Sequence, residues 1–305
     1  MSKFSEKPVG ILTASDLKSA KGKTLYWVFF ACLIILCLIS IIPTFWVICT
    51  SFKDTQEIYT STSFFPKDMS LTTLRTRITD SLAVLQMKKS FINTIWYGFG
   101  CLFFSLVVDG LAGYGLSKLK PKGHKALFML IVWSIMLPAQ IRSVPNYISY
   151  INWPFIAETK FEVNILDTYW PLWLGCAANA YTMVLFKNNF DSIPLSYMEA
   201  ARIDGAGDLY IFTKIMVPLS MPIIIYVSVG VVNSTWSNFY GPYLLIQDVK
   251  KMIVPVKVFL MQGNPTIKKN SYLMGLVISA IPPFIIYFIF QRQIMGGVNI
   301  GGVKG

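Results

Sequence analysis

The chain has 305 residues, of which 54% are apolar and only 14% are charged, and its mean hydropathy is +0.55. Soluble domains carry about 25% charged residues, so this composition excludes an ordinary soluble protein, and its hydrophobicity excludes a disordered chain. The net charge of +12 is spread over the polar segments between apolar runs. Because no basic stripe with interleaved aromatic residues is present, we do not expect nucleic-acid binding.

Apolar runs follow one another along the chain, and a membrane-spanning helix needs about 20 such residues. The candidate spans are 25–49, 91–116, 126–141, 169–186, 221–246 and 272–290. Without the alternating pattern of a membrane β-barrel, they predict an all-α, polytopic membrane protein with six transmembrane helices. Pro138 is expected to end or kink the third helix, and the fifth contains polar residues from Asn233 to Asn238.

The basic residues bear on the orientation of these helices. Lysines and arginines are almost equally divided between the two sides, but the lysine-rich turn 117–125 is very short and the N-terminal tail is basic. Short loops and the first helix weigh most in the positive-inside rule. We therefore expect a cytoplasmic tail over 1–24, a transmembrane domain over 25–292 and a second cytoplasmic tail over 293–305.

Motifs for chemistry are missing from the sequence. Gly22-Lys23-Thr24 resembles the end of a phosphate-binding loop, but Leu17 stands where that loop needs glycine. A single histidine, His124, cannot build a multi-histidine metal site. The five cysteines form no Cys-x-x-Cys motif. We expect no cofactor, no metal and no enzymatic activity in this chain.

The segment from 193 to 220 predicts two amphipathic helices beside the membrane. Pro194 can begin the first helix, Gly205 and Gly207 interrupt it, and Asp208 is expected to cap the second. The expected apolar face of the second helix consists of Leu209, Phe212, Ile215 and Met216. On pattern alone, this hairpin is either a simple connection between two spans or an element that contacts a partner.

The residues of this hairpin also carry a family resemblance. Glu199-Ala200-Ala201 and Asp204-Gly205-Ala206, followed by Phe212, Ile215, Pro218 and Pro222, resemble the EAA loop of the membrane subunits of bacterial ABC importers. The segments 137–147 and 166–169, the ending 291–294 and the glycine-rich tail 301–305 are similar to the carbohydrate, maltose-type branch of these binding-protein-dependent permeases.

The resemblance implies a permease subunit in the bacterial cell membrane. It implies pairing with a second, homologous permease subunit, docking of two ATP-hydrolysing subunits on the cytoplasmic side, and delivery of a sugar or oligosaccharide by an extracellular binding protein. The residues implied to couple with the ATPase are Glu199, Ala200, Ala201, Asp204, Gly205 and Ala206. The tail residues implied to reach the ATPase are Gly301, Gly302, Lys304 and Gly305.

A sugar path combines aromatic faces with hydrogen-bonding side chains. The candidates are Asn179 and Tyr181 in the fourth run and Trp236, Asn238 and Tyr240 in the fifth, each of which can instead pack between helices. Asp109 is the acidic residue well inside a span, and intramembrane charges are functional candidates. A secondary transporter that uses Asp109 as an ion site, or an ABC permease for a non-sugar solute, remains the alternative.

Overall fold

The protein is described by a computed structural model over residues 20–84, 87–153 and 164–295. Within these ranges all regular elements are helical. The α-helices, in chain order, are α1 (Ala20–Ser51), α2 (Thr55–Thr60), α3 (Leu71–Val84), α4 (Met87–Phe104), α5 (Gly110–Tyr114), α6 (His124–Met136), α7 (Ser143–Ile151), α8 (Trp170–Cys176), α9 (Ala180–Asp191), α10 (Ser196–Ile203), α11 (Asp208–Ile211), α12 (Val217–Leu219), α13 (Met221–Ser237), α14 (Tyr240–Leu245), α15 (Val254–Met261) and α16 (Lys269–Met295).

Helices of other types continue some of these elements. Segments Ser105–Asp109 and Gly115–Leu119 are π-helical and join α4 and α5 into one long run. A third π-helical segment, Phe212–Met216, joins α11 to α12, and Ala139–Arg142 is a 3₁₀ helix. A π turn holds more residues than an α turn, so side chains beyond it face a different direction from those in a regular helix.

Three helical runs in the described ranges are long and apolar enough to cross a membrane: Lys21–Ser51, Met87–Leu119 and Lys269–Gln291. Segments Asp208–Leu219 and Met221–Ser237 make a fourth if this pair, bent by 80°, is one span. The helical, membrane-spanning class is therefore confirmed, whereas the count of six stays a prediction.

Breaks shorten the other predicted spans. Helix α6 ends at Met136 because Leu137, which precedes Pro138, is extended, as predicted. The predicted run 169–186 is divided into α8 and α9, since Asn179 leaves helical geometry and accepts a hydrogen bond from the Thr182 N–H at 3.1 Å. Helix α13 likewise stops before the extended Asn238.

Helix α1 lies outside the packed core and contacts α16. Its apolar side chains are exposed, as Leu33 (59%) and Ile39 (62%) illustrate. A helix that is apolar all round and uncovered by protein is suited to lipid. The core consists of the long run Met87–Leu119, which contacts α8, α9 and α13, and α13 in turn contacts α16.

Candidate functional site

The apex of the hairpin 193–220 is a tight reversal after α10. Gly205 has φ +81°, its N–H donates to the Arg202 carbonyl at 3.0 Å, and the Ala206 N–H donates to the Ala201 carbonyl at 2.9 Å. These two bonds form the Schellman motif, which requires a left-handed residue that is usually glycine. Asp204 takes the C-cap position of α10. The predicted break at Gly205 is therefore present in the structure.

Asp208 does not cap the second helix, contrary to the prediction. Gly207 holds the N-cap position, without a side-chain hydrogen bond, and Asp208 is the first residue of α11. Its carboxylate instead accepts a hydrogen bond from Arg202 Nη2 at 2.8 Å, across the turn. This bond raises the pKa of Arg202. A carboxylate in the first turn also suits the helix dipole.

The outward surface of the hairpin combines apolar side chains with a few charged ones, among them Glu199, Asp204 and the ion pair of Arg202 with Asp208. Glu199 and Ala200 are exposed, whereas Ala201 is buried. The large apolar side chains that face outward are Leu195, Tyr197, Ile203 (87% exposed), Leu209 (71% exposed) and Tyr210. An exposed apolar patch rimmed by polar groups is typical of a surface that binds another protein.

The buried face of the second helix differs from the prediction at one position. Leu209 is exposed, and Ile211 is buried in its place together with Met216. Phe212 and Ile215 are partly buried against the same core, as expected. Leu209 lies in the first turn beside the apex, and the π turn that begins at Phe212 changes the phase of the following residues.

The base of the hairpin is fixed to the transmembrane helices. Lys118 Nζ donates to the Ile193 carbonyl at 2.6 Å, and Ser117 Oγ donates to Asp191 Oδ1 at 2.6 Å. Asp191 also pairs with Lys187 at 2.6 Å. The buried residues of this junction are Tyr114, Phe186, Phe190, Ile193, Met198, Ala201, Ile211, Met216, Ile223 and Val227. The hairpin is therefore packed directly against the long run Met87–Leu119 and α9.

A cavity of about 510 Å³ lies between α9, α13 and α16. It brings together the predicted Asn179 and Tyr181, with additional polar side chains from Tyr226, Asn233 and Ser234. Asn233 and Ser234 were visible in the sequence only as a polar interruption of the fifth run. Cavities of this size with a few polar groups among apolar walls are typical small-molecule sites.

The remaining predicted path residues do not line this cavity. Trp236 packs against Phe91, with ring centroids 5.4 Å apart. Asn238 and Tyr240 are exposed at the break between α13 and α14. The tail residues Gly301, Gly302, Lys304 and Gly305 lie outside the described residues.

Asp109 lies behind the cavity wall and is fully buried. Its Oδ2 accepts a hydrogen bond from Ser105 Oγ at 2.8 Å and its Oδ1 accepts one from the Asn179 N–H at 3.1 Å. Ser105 and Asn179 both line the cavity, whereas Asp109 does not. The carboxylate therefore connects the π segment of the long run to the break between α8 and α9. No group of three His, Cys, Asp or Glu residues in the described ranges could hold a metal ion.

Comparison with known proteins identifies the family. The sequence model of the "Binding-protein-dependent transport system inner membrane component" family matches residues 7–295. The chain is 27% identical to the polygalacturonan/rhamnogalacturonan transport system permease protein YtcP of Bacillus subtilis, over 90% of this chain and 96% of that protein. It is 26% identical to the probable starch degradation products transport system permease protein AmyC of Thermoanaerobacterium thermosulfurigenes, over 89% and 94%.

A solved structure shares the fold. A chain of a bacterial ABC transporter involved in the import of the acidic polysaccharide alginate aligns with a TM-score of 0.74 and 23% identity, covering 90% of this chain and 98% of that one. The family resemblance is confirmed, whereas the coupling role of the hairpin residues stays a prediction. The chain belongs to the family of binding-protein-dependent transport system inner membrane components, the permease subunits of ABC importers.

Proposed function

We propose that the chain forms one half of the translocation path of an ATP-driven importer for a sugar or oligosaccharide. The proposal is supported by the relatives named above, which transport polysaccharide or starch fragments. It is also supported by the cavity, where Tyr181 and Tyr226 supply aromatic faces and Asn179 and Asn233 supply amide groups. Rings and amides of this kind suit the apolar faces and hydroxyl groups of a sugar.

The hairpin is the observation that carries this proposal. It exposes Ile203, Leu209 and Glu199 around an apex with open space beside Gly205. Its base is continuous with the buried core of the transmembrane helices. Residues 199–206 then dock in a cleft of an ATP-binding subunit, and movement of that cleft changes the packing of the helices. Such transmission needs an element that favours two discrete arrangements.

The importer contains four further subunits in this proposal. A second, homologous permease subunit covers the open side of the cavity, and two ATP-binding subunits hydrolyse ATP on the cytoplasmic side. An extracellular binding protein delivers the sugar, and the tail residues Gly301 to Gly305 reach the ATP-binding subunits. All six predicted spans cross the bilayer, three of them as interrupted helices. Broken helices are tolerated where they line a cavity or are covered by protein.

Reconstitution tests this function. The chain is purified with its co-purifying partners, placed in proteoliposomes with the binding protein, and supplied with labelled oligosaccharides. We expect uptake that requires ATP, is inhibited by vanadate and is unaffected by a protonophore. Uptake driven by a proton gradient without ATP would contradict the proposal, and ATP-driven uptake of non-sugar solutes alone would contradict its substrate class.

A further inference from the structure

A second cavity, also about 510 Å³, lies at the opposite end of the long run from the hairpin. Asn93 lines it near the beginning of the run Met87–Leu119, whereas Tyr114 packs in the hairpin core near its end. At 1.5 Å per residue these positions are about 30 Å apart. If the hairpin is cytoplasmic, this cavity opens on the side from which the binding protein delivers its cargo.

The walls of this outer cavity combine cations and aromatic rings. Lys89, Lys250 and Lys251 line it beside Trp170 and Trp173, against a single lining carboxylate, Asp248. Trp170 is half exposed, and its ring lies edge-on to that of Trp173 at 5.3 Å. The ammonium groups of Lys89 and Lys250 have no hydrogen-bond or ion-pair partner among the described residues. Lys251, by contrast, is paired with the Asp167 carboxylate at 3.8 Å. The excess of positive charge next to the accessible aromatic face therefore comes from Lys89 and Lys250.

The segment that carries Lys250 and Lys251 is held rigidly. Asp167 has φ +59°, a conformation that is strained for a residue with a side chain. In this conformation its Oδ1 accepts the N–H groups of Gln247 at 3.0 Å and Asp248 at 2.9 Å. The backbone N–H of Asp167 itself donates to the Leu245 carbonyl at 2.8 Å.

Further side chains fix the same segment from the other side. Asn93 Nδ2 donates to the carbonyls of Lys250 at 2.9 Å and Met252 at 3.1 Å, and the Tyr169 hydroxyl donates to the Lys251 carbonyl at 2.7 Å. Ile246 and Ile253, which flank the segment, are buried. Lys251 Nζ also donates to the Asp167 carbonyl at 2.7 Å and so belongs to this support. Strain and several side chains thus fix the backbone that carries Lys250, an arrangement typical of a preorganised binding site.

We propose that this outer cavity binds a carboxylated sugar residue, with Lys89 and Lys250 on its carboxylate and Trp170 against its ring. The inference rests on the proposed function and narrows it to acidic oligosaccharides. Ammonium groups form charge-assisted hydrogen bonds with carboxylates, and an indole face covers the apolar face of a pyranose. The cavity volume lies within the range of about 300–1,000 Å³ that is usual for ligand sites.

The binding test uses the importer purified with its partner subunits in lipid nanodiscs, without the binding protein. Trigalacturonate and its fully methyl-esterified form, which has the same length and linkage but no charge, are titrated while tryptophan fluorescence is followed. We expect saturable binding of trigalacturonate that weakens with added salt. The ester should bind about tenfold more weakly or worse, because it loses the charge-assisted bonds. Equal affinity for the two forms, or no saturable binding, would overturn the proposal.

Variants locate the site. Combined Lys89→Gln and Lys250→Gln should lower the affinity for trigalacturonate about tenfold or more and leave the affinity for the ester unchanged, which also shows that the complex remains folded. Lys88→Gln is the matched control, because Lys88 is exposed and adjacent to Lys89 but does not line the cavity. An equal loss with Lys88→Gln would mean that only general surface charge matters, and would refute the site.

Two comparisons distinguish this inference from lipid binding and from the proposed function itself. Nanodiscs with and without phosphatidylglycerol test whether a lipid phosphate occupies the cavity. We expect that this lipid does not compete with trigalacturonate for Lys89 and Lys250. Binding of the lipid alone that depends on these two lysines would overturn the proposal. ATP-driven uptake of a neutral oligosaccharide, without binding of trigalacturonate, would leave the proposed function intact and refute only the acidic substrate. Absence of uptake for every sugar would refute the proposed function itself.

Discussion

Gly205 is held in a left-handed conformation by two backbone hydrogen bonds, and a Cβ added there would meet nothing within 4 Å. A side chain at this position therefore costs backbone strain of about 1–2 kcal/mol but causes no clash inside the chain. Any larger effect must come from a partner that fills the open space. This separation makes Gly205 suited to a test of coupling.

We predict that Gly205→Trp leaves the subunit at normal membrane levels but releases or uncouples the ATP-binding subunits and abolishes sugar uptake. The indole would occupy space that the partner cleft needs. Subunit level, ATPase retention on pull-down and uptake are measured in the same membranes. Gly123→Trp is the matched control, since Gly123 also has positive φ (+87°) with nothing within 4 Å, but lies outside the hairpin.

Full uptake by Gly205→Trp with the ATPase retained would refute the coupling role. An equal loss in Gly123→Trp would point to strain in a left-handed turn as the cause. Gly205→Asn adds a graded step, because asparagine tolerates the left-handed region better than other residues. It should keep most of the uptake that tryptophan abolishes if the size of the side chain is decisive.

Asp109 accepts two hydrogen bonds within the protein, which gives its variants different outcomes. Asp109→Asn keeps an acceptor for the Asn179 N–H, and its amide can donate to the Ser105 hydroxyl, so uptake should remain ATP-driven and insensitive to a protonophore. Asp109→Leu leaves that N–H unpaired in the interior, at a cost of about 1–3 kcal/mol, and should lower the thermal stability of the complex. Loss of uptake together with loss of proton coupling in Asp109→Asn would instead favour a secondary transporter.

For individual residues, the sequence predicts which positions are important better than it predicts which groups their side chains contact. Gly205 was predictable because a helical pattern stops at a glycine, and Asp109 because a charge interrupts an apolar run. The bond between Asp109 and Asn179 joins residues 70 positions apart, and no local pattern encodes it. Asp208 was assigned as a cap because aspartate prefers that position, but Gly207 holds it and Arg202 draws the carboxylate across the turn.

At the scale of the helices, hydropathy did not predict where the helices are interrupted. The run 169–186 is apolar on average, yet the polar Asn179 divides it, because its side chain accepts from the first turn of α9 while its backbone N–H donates to Asp109. The π segments are equally invisible to helical periodicity, and so is the burial of Ile211 rather than Leu209 just before the segment Phe212–Met216. Long-range contacts, which override local preference, determine these features.

The contact between α5 and α9 yields a prediction with an internal control. A Cβ on Gly113 would lie 2.6 Å from Phe186 Cβ and 2.9 Å from the Lys187 backbone nitrogen, whereas a Cβ on Gly115 would meet nothing within 4 Å. We expect Gly113→Ala to destabilise the subunit by about 1–3 kcal/mol through overpacking. Gly115→Ala should be neutral or slightly stabilising, since alanine favours helices. Thermal unfolding of the purified complex measures both, and equal unfolding temperatures would contradict the close approach.

At the scale of the molecule, length and composition identify three crossings within the described ranges, or four with the bent pair. The other predicted crossings are broken by Pro138, Asn179 and Asn238 and so fail any test for long continuous helices. Which end of the molecule faces the cytoplasm is not encoded in charge alone, because the two sides carry similar numbers of basic residues. The hairpin decides the orientation in our proposal, since its partner ATPase acts on the cytoplasmic side.

Two contacts turn this orientation into a labelling prediction. Lys118 is bonded to the hairpin at Ile193, so the adjacent turn with Lys122 lies on the hairpin side. Ile267, next to the exposed Thr266, packs against the cluster that contains Met87, the first residue of the long run Met87–Leu119. The loop with Thr266 therefore lies at the end of that run away from Lys118 and the hairpin. In intact cells, a membrane-impermeant thiol reagent should label Thr266→Cys and should label Lys122→Cys only after permeabilisation.

The wild-type chain provides the background for this experiment, because Cys32 and Cys37 are exposed within α1 and would be shielded by lipid if that helix spans the membrane. Labelling of Lys122→Cys from outside would invert the orientation and place the hairpin away from any cytoplasmic ATPase, which would remove the basis of the coupling proposal. Labelling of both positions from outside would mean that one or all three of the predicted spans between them do not cross the membrane. The six-span topology would then be wrong, although the family assignment would remain.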